Sequence, residues 1–228
     1  MNLANLKILV RGYTPGAKAQ VITSEVLGLI LNEGVRDIAA YTVCLKANKK
    51  FTITADQSEY LLSTVIGDYL TPDAFGLWWN NGSKWVQLNA RTLTWLDKNR
   101  PNWRDLDSGT PQDYFINGDI LTLVPTPNTT LAEGLWFYYG ATPGLMEEED
   151  DYSFSGSNVE LTHLSVFNSA ILKFAEWKIN PILNKDQTED ITEGQYKRAR
   201  EEAFTIFKRR KDISNSSDAR LSGPLIRR

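Results

Sequence analysis

The sequence predicts an α+β protein: a helical bundle of three main helices, an inserted antiparallel β-domain of sandwich or barrel type, and an extended C-terminal tail. Three observations predict it. Apolar residues recur at helical spacing near both ends of the chain. Between about Lys49 and Thr142 the period falls to near two and turn residues crowd together. Residues 212–228 are polar, loop-like and basic at the tip. A single helix cannot bury its apolar stripe alone, so the first is expected to pack on the last two, which makes the middle section an insertion. The expected boundaries are 1–48 for an N-terminal arm and first helix, 49–142 for the β-domain, 143–157 for an acidic linker, 158–211 for the later helices and 212–228 for the tail.

The opening LKILVRGYTPGAKA resembles a strand entering a phosphate-binding loop. Gly12 and Gly16 enclose three residues where that loop needs four, and no Ser or Thr follows Lys18. It is therefore read as an extended arm. A helix is expected over 23–46, with Thr23 or Ser24 as cap, Glu25 on the positive helix end, and Leu27, Ile30, Leu31, Val35 and Ile38 on one face. Gly34 inside that helix signals close packing.

In the β-section, Phe51 and Ile53 alternate, Asn81-Gly82 and Asn117-Gly118 mark two hairpins, and RTLTWLDKN suits a helical turn before Pro101. LWFYYG closes it as a strand, giving about six or seven in all. Ser157 and Glu160 then fit a capping box for a helix with Leu164, Phe167, Ile171 and Phe174 inward, ended by Pro181. The last helix is expected over 186–211, acidic at Glu189, Asp190 and Glu193, basic at Lys208, Arg209, Arg210 and Lys211, with Tyr196, Ala199, Ala203 and Phe207 on its apolar edge.

A formal charge of −3 argues against a protein built to grip nucleic acid, though not against one that DNA merely passes. With Cys44 as the single cysteine, neither an intrachain disulfide nor a thiolate cluster is expected, and Cys44 reads as a small buried hydrophobe. No apolar run approaches the roughly 18 residues that read as a membrane span, and the start lacks signal-peptide order, so residence in a cytoplasm or in something assembled there is expected. A calcium loop from Asp105 fails at its twelfth position, Ile116. The acidic run Glu147 to Asp151 reads as a solvated linker rather than a metal site, and His163, the sole histidine, defines no triad. No catalytic residue, cofactor or metal is expected.

Six of the seven tryptophans, Trp78, Trp79, Trp85, Trp95, Trp103 and Trp136, fall in the β-section. They serve its core, a subunit interface or, as the rival reading, a carbohydrate-binding face. Neighbouring strand residues point to opposite faces, so Trp78 and Trp79 cannot both enter one core, which favours an interface. The basic helix end and Arg227-Arg228 read equally as helix complement with solvated tail, or as a segment that docks an acidic partner.

Three stretches carry a resemblance: TSEVLGLILNEGVRDIA, FTITADQSEYLL, and WRDLDSGTPQDYFINGDILTLVPTP followed by LWFYYGATPGLM. In order and spacing they resemble the head-to-tail adaptor (connector) proteins of tailed bacteriophages, most clearly at Gly109, Pro111, Tyr114, Pro125 and Pro127. The resemblance implies a non-enzymatic virion protein made in the bacterial host cytoplasm. About twelve copies would form a homo-oligomeric ring between the portal protein and the tail or neck proteins, around a bore that DNA traverses without sequence-specific binding. Lys208, Arg209, Arg210, Lys211, Ile213, Arg220, Leu221, Leu225, Ile226, Arg227 and Arg228 would then dock the portal. Trp78, Trp79, Trp85, Tyr114 and Trp136 would face neighbouring subunits.

Overall fold

The computed structural model describes residues 1–14, 21–183 and 189–221, without side chains at 73–75, 189–191 and 210–221. Among them are six α-helices and eight strands in a mixed α+β arrangement. The chain divides into two compact units, Met1–Thr42 with Pro143–Arg228, and Val43–Thr142.

The first unit is helical, and it begins with a helix rather than the expected extended arm. Leu3, Leu6 and Val10 are buried at helical spacing on α1 (Leu3–Tyr13), and Asn2 caps it, its side chain accepting from the Asn5 N–H. α2 (Ser24–Thr42) has Thr23 Oγ1 accepting from the Val26 N–H at 3.4 Å and buries Leu27, Ile30, Leu31, Val35 and Ile38. It stops earlier than expected, at Val43, whose positive φ of 48° leaves the helical region.

The acidic run is exposed at 147–150, and its backbone is also tied to α1. The Leu3 and Ala4 N–H groups donate to the Asp151 and Glu149 carbonyls, and the Asp151 carboxylate accepts from the Glu147 and Glu148 N–H groups. The acidic run thus closes over the N-terminus of α1, where orphan donors and the helix dipole both favour it. Met146 and Phe154 anchor its flanks in the core.

The expected capping box does not form either. Ser157 Oγ accepts from the Val159 N–H two residues on, and Glu160 pairs with the Met1 ammonium at 3.0 Å. A 3-10 turn, Thr162–Phe167, leads instead into α5 (Asn168–Ile182). Pro181 lies inside the last turn of α5 rather than ending it. α6 (Glu189–Leu221) outruns its expected end, so 212–221 continue a helix where a loop-like tail was expected. Polarity alone breaks no helix, and no Gly or Pro follows Gly194 until Gly223. α5 packs against α1, α2 and α6. At Gly34 a Cβ would stand 2.8 Å from the Phe174 ring, so that glycine is what lets α2 and α5 approach.

The second unit holds two four-stranded sheets. One has the order β1 (Lys46–Ile53), β8 (Leu131–Ala141), β3 (Tyr69–Asn80), β4 (Trp85–Gln87), and the other β2 (Glu59–Leu61), β7 (Ile120–Val124), β6 (Asp113–Asn117), β5 (Asn89–Ala90). Both hairpins form at the Asn-Gly pairs. The second closes tightly, with Asn117 opposite Ile120 and Gly118 at a φ of 60°, a value open to glycine.

The pairing is not wholly antiparallel as expected, because β5 runs parallel to β6. That pairing needs a crossover, supplied by α4 (Leu93–Asn99), whose cap Thr92 accepts from the Trp95 N–H, and a 3-10 turn at Trp103–Asp105. Buried Asp113 fastens it, facing Arg91 Nε at 3.1 Å and an Arg100 guanidinium nitrogen at 2.8 Å. A short helix, α3 (Leu62–Val65), follows β2. Both sheets bury one shared cluster that includes Phe51, Ile53, Leu77, Leu121, Leu135 and Phe137.

Candidate functional site

The expected interface residues separate by face. Trp79 and Tyr114 are 3% and 4% exposed inside the shared core, so they cannot present a surface to a neighbour. Strand alternation sends Trp78, between Leu77 and Trp79, to the other face. There the register aligns Lys50, Trp136, Trp78 and Gln87 in one row across β1, β8, β3 and β4. Trp85, opposite Asn80, lies close enough to bring its ring centroid 5.5 Å from Trp136, edge to face.

Three residues outside the expected set complete this face. Tyr138 lies 4.9 Å from Trp136, Asn48 Oδ1 accepts from the Trp136 indole N–H at 3.0 Å, and Lys50 stands over both Trp85 and Trp136 at 5.3 and 5.4 Å. The Lys50 ammonium also pairs with Glu133 at 3.6 Å. Period-two spacing in LWFYYG would have found Tyr138 from Trp136; Lys50 and Asn48 needed the register. Trp78, Trp85 and Trp136 are half-buried, and the rings of Trp85 and Trp136 cover each other. Stacking on sugar needs free, flat ring faces. Here the Trp85 and Trp136 rings meet each other and the Lys50 ammonium.

The second element is α6. Tyr196 and Arg200 grip α2 through Asp37: the Tyr196 hydroxyl donates to its carboxylate, and an Arg200 guanidinium N–H donates at 2.8 Å. Arg200 also stacks on Tyr41 at 3.8 Å, and Tyr196 stacks on Trp177 of α5 at 5.7 Å. Burial, then the Asp37 carboxylate, push the Tyr196 hydroxyl well above its ordinary pKa. Asp37 lay outside the expected set, since its partners are 159 and 163 residues away.

Beyond that grip, Phe207 meets Phe167 at 5.6 Å. α6 continues past it to Leu221, about four further turns. Lys208 and Arg209 are exposed there, Lys208 over the Phe204 ring at 4.3 Å. Arg210, Lys211, Ile213, Arg220 and Leu221 lie on the helical backbone, whereas Leu225, Ile226, Arg227 and Arg228 are outside the described residues.

Among the described residues, no group of three His, Cys, Asp or Glu side chains could hold a metal ion, and no helix is long and apolar enough to cross a membrane. His163 is exposed and Cys44 buried. Comparison with protein-family models and with curated protein sequences gives no match.

Proposed function

We propose that this chain is a head-to-tail adaptor of a tailed bacteriophage. In this reading its helical unit is a bundle, its β-unit a sandwich, and copies assemble as a ring of about twelve beneath the portal, carrying tail or neck proteins. The genome passes through the bore, which a mildly acidic protein does not retain.

The observation that carries the reading is the far part of α6. Past the contact of Phe207 with Phe167 the helix runs on for about four turns, long enough to reach a partner. Basic residues at Lys208 and Arg209 give it the character of a docking element for an acidic surface. The Asp37, Tyr196 and Arg200 contacts fix where it leaves the unit. Trp78, Trp85 and Trp136 supply a contact between neighbouring subunits.

Capture on purified portal protein tests the proposal. Full-length chain should be retained, and chain truncated after Lys211 should be lost while keeping its circular dichroism. Equal retention of both removes the docking role. In the same preparation a glycan array separates the carbohydrate reading: affinity that disappears in Trp136→Ala would replace the adaptor role.

A further inference from the structure

α1, α2 and the acidic segment enclose a groove of about 490 Å³ lined in part by Lys7, Gly28, Leu29, Asn32, Leu145 and Glu147. Its two lips are leucines without cover, Leu29 at 70% and Leu145 at 61% exposure. Its wall is rigid, because the Asn32 amide donates to the Met146 carbonyl at 3.1 Å and accepts from the Met146 N–H at 2.9 Å. Glu25, Glu147 and Glu149 are exposed along it. Lys7 is the only cation among the described lining residues, and Glu149 holds it at 2.7 Å. An apolar slot with surplus negative charge suits a segment in which aliphatic side chains are followed by cations.

This chain carries such a segment, SGPLIRR at 222–228, with Leu225 and Ile226 followed by Arg227 and Arg228. The described part of α6 ends far from the groove of its own copy. Asp37 meets Tyr196 and Arg200, and Tyr41 meets Arg200 and Phe204, so α6 runs in the same direction as α2. The groove lies along the first half of α2, while α6 departs past the other end. From Leu29 to Tyr41 is about 18 Å of helix, and from Phe204 to Leu221 about 25 Å more in the opposite sense from the groove. Seven extended residues span at most about 25 Å, roughly 20 Å too few.

We propose that residues 222–228 of one copy seat in this groove of a neighbouring copy. Leu225 and Ile226 lie between Leu29 and Leu145, and Arg227 and Arg228 face Glu25 and Glu147. The contact joins two different patches, so repetition closes a ring if the rotation between copies allows. The inference rests on the ring reading, and it narrows the portal contact to the helical stretch ending at Leu221.

Sedimentation velocity of the full chain over a range of concentrations tests it. Wild type should self-associate. Arg227→Glu with Arg228→Glu should weaken association about tenfold or more, as should Glu25→Arg with Glu147→Arg, since close charge pairs at an interface are involved. All four changes together should restore it, and excess synthetic SGPLIRR peptide should dissociate wild-type assemblies. Circular dichroism checks that each variant is folded. A wild type that stays monomeric, unaltered association in either double variant, or no recovery in the combined one overturns the inference. Portal capture of the same proteins is read separately: retained capture with failed charge exchange sinks the groove contact alone, and absent wild-type capture sinks the adaptor reading.

Discussion

Single residues carry more of this fold than their types suggest. Gly34 is one: Phe174, held between Trp177 and Tyr196, has no room to yield to a Cβ at 2.8 Å. Gly34→Ala should therefore destabilise the chain by about 1–3 kcal/mol despite alanine's better helix propensity, as read by urea unfolding. The buried tyrosines set a second expectation. Burial is the main cause of raised pKa values at Tyr60, Tyr69, Tyr114, Tyr139 and Tyr196, with Tyr69 pushed up to about 12; Asp68 adds to the shift of Tyr139, and Asp37 to that of Tyr196. A hydroxyl whose folded pKa exceeds its unfolded value of about 10 stabilises the fold fully below that pH. The contribution is lost as pH rises from there through the folded pKa. Unfolding midpoints should thus fall steeply above about pH 10, and tyrosinate absorbance should show a late-titrating group that merges with the rest only on unfolding.

At the scale of elements, what could be read from sequence was what is encoded locally. Asn117-Gly118 specifies its hairpin within four residues, and the stripe from Leu27 to Ile38 specifies α2 within about three turns. Partners far apart in sequence left no such mark. The parallel β5–β6 pair depends on Asp113 meeting Arg91 and Arg100, and nothing near Asp113 announces a buried carboxylate. Composition misled at 212–221, read as a loop for being polar, and it gave no sign that the exposed acidic run is tied to the start of α1. The sheet face was half legible, since strand parity separated Trp78 from Trp79, but Tyr114 needed the core to be seen. Asp113→Ala should release Arg91 and Arg100, both already partly exposed to water, and cost about 1–3 kcal/mol in thermal or urea unfolding. Thr92→Ala, which removes only the cap of α4, should cost about 1 kcal/mol in the same assay.

In the whole molecule, the side chains that hold each unit together differ from those on its surface. The β-unit spends Trp79 and Tyr114 on its core and shows Trp78, Trp85 and Trp136 on the opposite sheet face. The helical unit grips α6 as far as Phe207, and the helix runs on to Leu221. Trp85→Ala should therefore reduce assembly of copies on the portal, counted by mass photometry, while the fold shown by circular dichroism persists. In the proposed role this chain joins portal to tail. Electron microscopy of purified portal incubated with the full chain and with the chain truncated after Lys211 tests it most directly. A closed ring of adaptor density beneath the portal with the full chain, and bare portals with the truncated one, is the predicted result. Bare portals in both samples would contradict it.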